Sequence, residues 1–91
     1  MKEKLTSIKE SIKEGNLESA IKDLSQYILA DSNDDEAYYL LGNAYRKLGN
    51  WQMALNNYLE AIDRNPDSPA FQARKMTMDI LEFYNKDMFN Q

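Results

Sequence analysis

The chain writes one phrase twice. "GNLESAI" runs from Gly15 to Ile21 and "GNWQMAL" from Gly49 to Leu55, thirty-four residues further on. Gly, Asn, a bulky apolar residue, then Ala and an aliphatic recur at the same offsets. A fixed period of this length marks supersecondary units that cannot bury an apolar face alone and must stack on their neighbours. In a chain of 91 residues there is room for one domain built from such units.

The units are helical. Leu5, Ile8 and Ile12 form one apolar stripe, and Leu17, Ala20, Ile21, Leu24 and Ile28 a second. Tyr38, Leu41, Tyr45 and Leu48 form a third, and Trp51, Ala54, Leu55, Tyr58 and Ile62 a fourth. A looser fifth runs from Phe71 to Tyr84. All follow the helical period, and no segment sustains the two-residue alternation of a half-buried strand. Gly15 and Gly49 stand where two stripes end, the place a left-handed helix stop favours glycine. Asp34 is positioned as an N-cap, with Asp35 and Glu36 in the first turn after it. Pro66 closes the fourth stripe, and Ser68 with Pro69 reads as a cap followed by a first helical residue. The spacing predicts helices over 2–14, 17–30, 35–48, 51–64 and 69–85.

Composition removes most chemistry. There is no Cys, so neither a disulfide framework nor a thiolate site exists. There is no His, the commonest general base and metal ligand. "DSNDDE" supplies the first ligand positions of a calcium loop at Asp31, Asn33 and Asp35, but Glu36 and Gly42 stand where the loop needs Gly and Glu. It reads as a capping turn. Glu10 with Lys13 and Glu18 with Lys22 are ordinary helix-surface pairs. No Gly-rich phosphate loop and no nucleophile context occurs, so neither an enzyme nor a cofactor is expected. Charges interrupt every apolar pair in "MKEKLTSIKESI", which excludes a leader's apolar core, and no membrane-length apolar run follows. The expectation is a cytoplasmic protein, with a leader cut away before Met1 as the alternative. A net charge of -4 has the wrong sign for non-specific binding of nucleic acid, and none is expected as partner.

The stretch from Asp35 to Ser68 resembles one complete tetratricopeptide repeat. That family's pattern is an aromatic residue, Leu-Gly, Tyr, then Ala, an aromatic residue and Pro. Here these are Tyr38, Leu41-Gly42, Tyr45, Ala54, Tyr58 and Pro66, with Ala61 as a further small site. Gly42, Ala54 and Ala61 sit where helix axes must approach closely. The first unit matches at Gly15, Ala20 and Leu24, but has Ile8 at the Gly position, Tyr27 at that of Ala61 and Ser32 at that of Pro66. One inserted residue near Pro69 brings Met76, Thr77, Ile80 and Phe83 onto the Leu-Gly-Tyr-Leu sites. The resemblance, closest to short stand-alone bacterial members, implies an all-α, right-handed superhelical array. It has repeat 1 at about 1–34, repeat 2 at about 35–68, and a capping helix at about 69–85 with a short tail.

In this family the first helix of each repeat lines a concave, peptide-holding face. Carried onto this chain, the groove consists of Lys2, Leu5, Lys9, Ile12 and Lys13, then Glu36, Tyr39, Asn43, Arg46 and Lys47, then Phe71, Arg74 and Met78. Six of these are basic and one is acidic, against a negative whole. The resemblance therefore implies a non-enzymatic adaptor whose partner is a peptide segment of another protein, with an acidic one favoured by the charge imbalance. The competing reading is that these lysines are solvated surface. Asn43 offers an amide to a peptide backbone in either polarity. The carboxylate clamp of some members is absent. Leu5, Lys9, Leu40, Ala70 and Arg74 hold its sites, and only Arg74 keeps the required type. The tail "FYNKDMFNQ" packs Phe83, Tyr84, Met88 and Phe89 into nine residues. It either extends the cap or forms an edge for self-association, so a monomer and a weak homo-oligomer are both expected states.

Overall fold

Five helices follow one another in the computed structural model, which describes residues 2–89, with side chains described from 3 to 83. They are α1 (Lys2–Lys13), α2 (Leu17–Ala30), α3 (Asp35–Leu48), α4 (Trp51–Arg64) and α5 (Ala70–Phe89). No strand forms among the described residues. The first four agree with the sequence periodicity to within one residue. The last starts one residue later than expected, because Ser68 Oγ accepts from the Ala70 backbone N–H at 3.0 Å and leaves Pro69 just outside the helix. It also runs longer, since nothing between 70 and 89 is Gly or Pro.

The repeated phrase has a backbone cause. Gly15 and Gly49 sit at φ 89° and 84°, the left-handed region that ends a helix. Gly49 N donates to Arg46 O at 3.0 Å and Asn50 N to Tyr45 O at 2.9 Å, satisfying carbonyls that the last turn of α3 leaves open. Asn50 then caps the next helix, its Oδ1 accepting from Met53 N at 3.2 Å. Asn16 makes no such side-chain bond, so the first copy of the phrase keeps the turn without the cap. Asp34 caps α3 as expected, accepting from Glu36 N at 3.0 Å. Asp31 Oδ1 accepts from Asn33 N at 3.2 Å, so "DSNDDE" is a capping turn. No group of acidic side chains among the described residues could hold a metal ion.

Two apolar clusters hold the array together. One joins α1, α2 and α3 through Leu5, Ile8, Ile12, Ala20, Leu24, Tyr27 and Leu41. The other joins α3, α4 and α5 through Tyr38, Ala54, Tyr58, Ala61 and Ala70. At the α3–α4 contact Gly42 lies so close to the Tyr58 ring that a Cβ would overlap Cδ1 and Cε1. In the first hairpin the same two positions are Ile8 and Leu24, both buried. Bulk has moved from the second helix to the first. Tyr27, where α4 has Ala61, stays buried by sending its hydroxyl to Asp34 Oδ2 at 2.6 Å.

Arg64 locks one hairpin to the next. Its guanidinium lies 4.1 Å from the centroid of the Tyr38 ring. Nε donates to Ser32 O at 2.6 Å, and the other nitrogens reach Tyr38 Oη and Glu60. Beside it Asn65 Nδ2 donates to Asp35 Oδ2 at 3.2 Å. The end of α4 is thereby tied to the turn between α2 and α3. This fixes the angle at which α3 presents its outer face.

Candidate functional site

With the hairpins locked, α1 and α3 lie side by side and leave a hollow of about 230 Å³. Its lining is Lys9, Ile12 and Lys13 from α1 and Leu40, Asn43, Arg46 and Lys47 from α3. Positions three and four apart share a helix face, which is why these side chains converge. No carboxylate lines this hollow. An adjoining hollow of about 510 Å³ is mixed in charge, with Lys9, Asp35, Glu36, Tyr39, Asn65, Ser68 and Pro69 around it.

The positive charge is therefore uneven. At the mixed end Lys9 Nζ pairs with Glu36 Oε2 at 2.8 Å. At the other end Lys13, Arg46 and Lys47 stand together, with Lys47 Nζ donating a long hydrogen bond to Ile12 O at 3.5 Å. Behind the lining residue Asn43 lies Tyr58, fully buried, whose hydroxyl donates to Asn43 Oδ1 at 2.6 Å. Burial pushes the Tyr58 phenol above its ordinary range, opposed by the charge and hydrogen bond of Arg46. Tyr58 is thus a neutral donor at physiological pH. The Tyr39 ring packs against it at 6.2 Å, tilted by 39°. Arg46 Nε is buried and has no hydrogen-bond partner, and the same is true of Arg74 Nε on α5. A buried N–H without an acceptor is costly, and an incoming carboxylate or carbonyl oxygen removes the cost.

Of the expected groove residues, Lys9, Ile12, Lys13, Asn43, Arg46 and Lys47 line one hollow. Tyr39 lines the adjoining one. Met78 lines a third with Leu55, Leu81 and Glu82, and Phe71 is 56% exposed nearby in sequence on the same helix. Arg74 is half-buried. The Lys2 side chain lies outside the described residues. Leu5 needs correcting: it is 1% exposed and belongs to the core, since a leucine at the edge of an apolar stripe gains by turning inward. Ile12 is also buried and serves as floor rather than contact surface. Asn43 cannot serve a backbone in both polarities equally, because Tyr58 engages its Oδ1 and leaves Nδ2 to donate. Sequence reasoning missed Leu40, Leu55, Leu81 and Glu82. Leu81 and Glu82 were accessible from the one-residue shift of α5 against the repeat, whereas Leu55 lies on α4.

The tetratricopeptide repeat model matches residues 35–68, which span α3, α4 and the turn into α5. The solution NMR structure of a Bacteroides fragilis protein is 62% identical in sequence and superposes with a TM-score of 0.86, covering 96% of this chain and 89% of that one. The chain belongs to the tetratricopeptide repeat family. Among curated relatives, Superkiller complex protein 3 of Mus musculus is 35% identical over 57 residues, 63% of this tetratricopeptide repeat chain. The chain spans 4% of the length of that relative. Membership suggests a protein–protein interaction module, since proteins of this family are generally non-enzymatic scaffolds. No helix among the described residues is long and apolar enough to cross a membrane.

Proposed function

We propose that the protein is a non-enzymatic adaptor that seats an acidic peptide segment of another protein in the hollow between α1 and α3. The observation that carries this reading is the lining itself: Lys13, Arg46 and Lys47 converge there without a carboxylate. The unsatisfied Arg46 Nε adds a directional donor to that charge. Affinity on the order of micromolar is expected from so short a groove with few buried anchors.

Titrating a capped Glu-rich peptide into isotope-labelled protein tests it. Backbone shifts should cluster at Lys13, Asn43, Arg46 and Lys47, and Arg46→Glu should weaken binding by at least about tenfold. Raising salt should weaken it too, because the flanking lysines are exposed. Shifts scattered over α2 and α4, or an Arg46→Glu variant that binds as well as the parent, would sink the proposal.

A second reading is self-association through the outer flank of α5. Met76 and Ile80, one turn apart, are 56% and 36% exposed there. The other apolar tail residues, Tyr84, Met88 and Phe89, have side chains outside the described residues. Light scattering at two concentrations tests this reading, and an unchanged monomer mass at the higher one removes it.

A further inference from the structure

The hollow beside α3 and the hollow beside α5 differ in character. The register that relates them is one residue longer than the repeat. Under that shift Thr77 falls on the site of Gly42 and Ala73 on that of Tyr38, and Thr77 is fully buried while Ala73 packs against the second cluster. Asn43, Arg46 and Lys47 of α3 then correspond to Met78, Leu81 and Glu82 of α5. The same helix positions that make a cationic hollow beside α1 make an apolar one beside α4. That second hollow has a volume of about 350 Å³. Phe71 precedes Met78 by two turns on the same face and is more than half exposed. Glu82 at its rim repels a carboxylate.

From this asymmetry we infer that the ligand is a two-part peptide, acidic where it crosses α1 and α3 and apolar where it crosses α5. The inference rests on the adaptor reading and adds the order of the ligand's chemistry. An all-acidic segment crossing α5 meets Glu82 and leaves Phe71, Met78 and Leu81 wet. A segment that places a leucine or phenylalanine there buries those side chains and keeps its carboxylates at Arg46.

The test uses two capped peptides of equal length, one a Glu half joined to a Ser half, the other the same Glu half joined to a half containing Leu and Phe. Binding is read by fluorescence anisotropy and by methyl NMR of the methionines. The second peptide should bind about tenfold tighter and shift the Met78 methyl, while that of Met76, on the opposite flank of α5, stays still. Met78→Glu and the milder Met78→Ser should erase the gain of the second peptide. Equal affinity for the two peptides overturns the inference and spares the adaptor reading. So does a gain that survives Met78→Glu, or one that shifts Met76 instead. Failure of both peptides to bind overturns both.

Discussion

Replacing Gly42 with alanine puts one methyl group where α3 and α4 meet. Its carbon would overlap Cδ1 and Cε1 of Tyr58 and stand 3.0 Å from Cζ. The ring has little freedom to yield. Tyr58 is fully buried, its hydroxyl is held by Asn43 at 2.6 Å, and Tyr39 packs against it. Overpacking of this kind costs about 1–3 kcal/mol, and the constraints on the ring place this site in the upper half of that range. Alanine offsets about 1 kcal/mol by its better helix propensity. The net loss is then about 1–2 kcal/mol, which for a domain of this size lowers the melting midpoint by roughly 4–16 °C. Thermal and urea unfolding followed by circular dichroism measure it. The first hairpin supplies the companion variant, since it holds Leu24 where α4 has Tyr58. Adding Tyr58→Leu to Gly42→Ala should recover part of the loss, with a coupling of at least about 0.5 kcal/mol. A single variant as stable as the parent, or strictly additive effects, would refute the steric account.

Two further outcomes follow from bonds described above. The hydrogen bond to Asp34 holds the Tyr27 phenol up at about 12, so the folded state keeps a proton that the unfolded chain loses near pH ~10. The stability advantage of the parent over Tyr27→Phe should therefore be constant up to about pH 10 and fade as pH rises towards 12; urea unfolding across that range reads it, and a constant difference contradicts the assignment. Arg64→Ala removes the stack on Tyr38 and the bond to Ser32 O, at a cost of about 1–2 kcal/mol in unfolding free energy, read by urea unfolding. Arg64→Lys should recover little of it, lacking the planar fork, and a full recovery would refute the stacking role.

Helix positions were legible because each signal in the sequence has a local cause. The glycines of the repeated phrase need positive φ, Asp34 and Asn50 satisfy free N–H groups, and apolar stripes mark buried faces. What depends on long-range packing was not legible. Position along α1 points Leu5 at the groove, but its side chain turns into the core, a choice that depends on how far α1 rolls against α2 and α3. Tyr27 looked like a misfit at a small-residue site until its hydroxyl found Asp34 seven residues on. The stack of Arg64 on Tyr38 spans twenty-six residues and leaves no trace in either neighbourhood. In the groove, charge was readable by counting, whereas the pairing of Lys9 with Glu36, which offsets one cation at the far end from Lys13, needed coordinates.

A molecule assembled from near copies can zip the wrong halves together while it folds. Here the exchanged bulk guards against that. Pairing α1 with α4 would drive Ile8 into the space Tyr58 occupies, and pairing α3 with α2 would leave Leu24 facing the emptiness above Gly42. One mismatch is overfilled and the other hollow, so only the native partners close. The divergence of the two units at these positions gives each hairpin a key of its own.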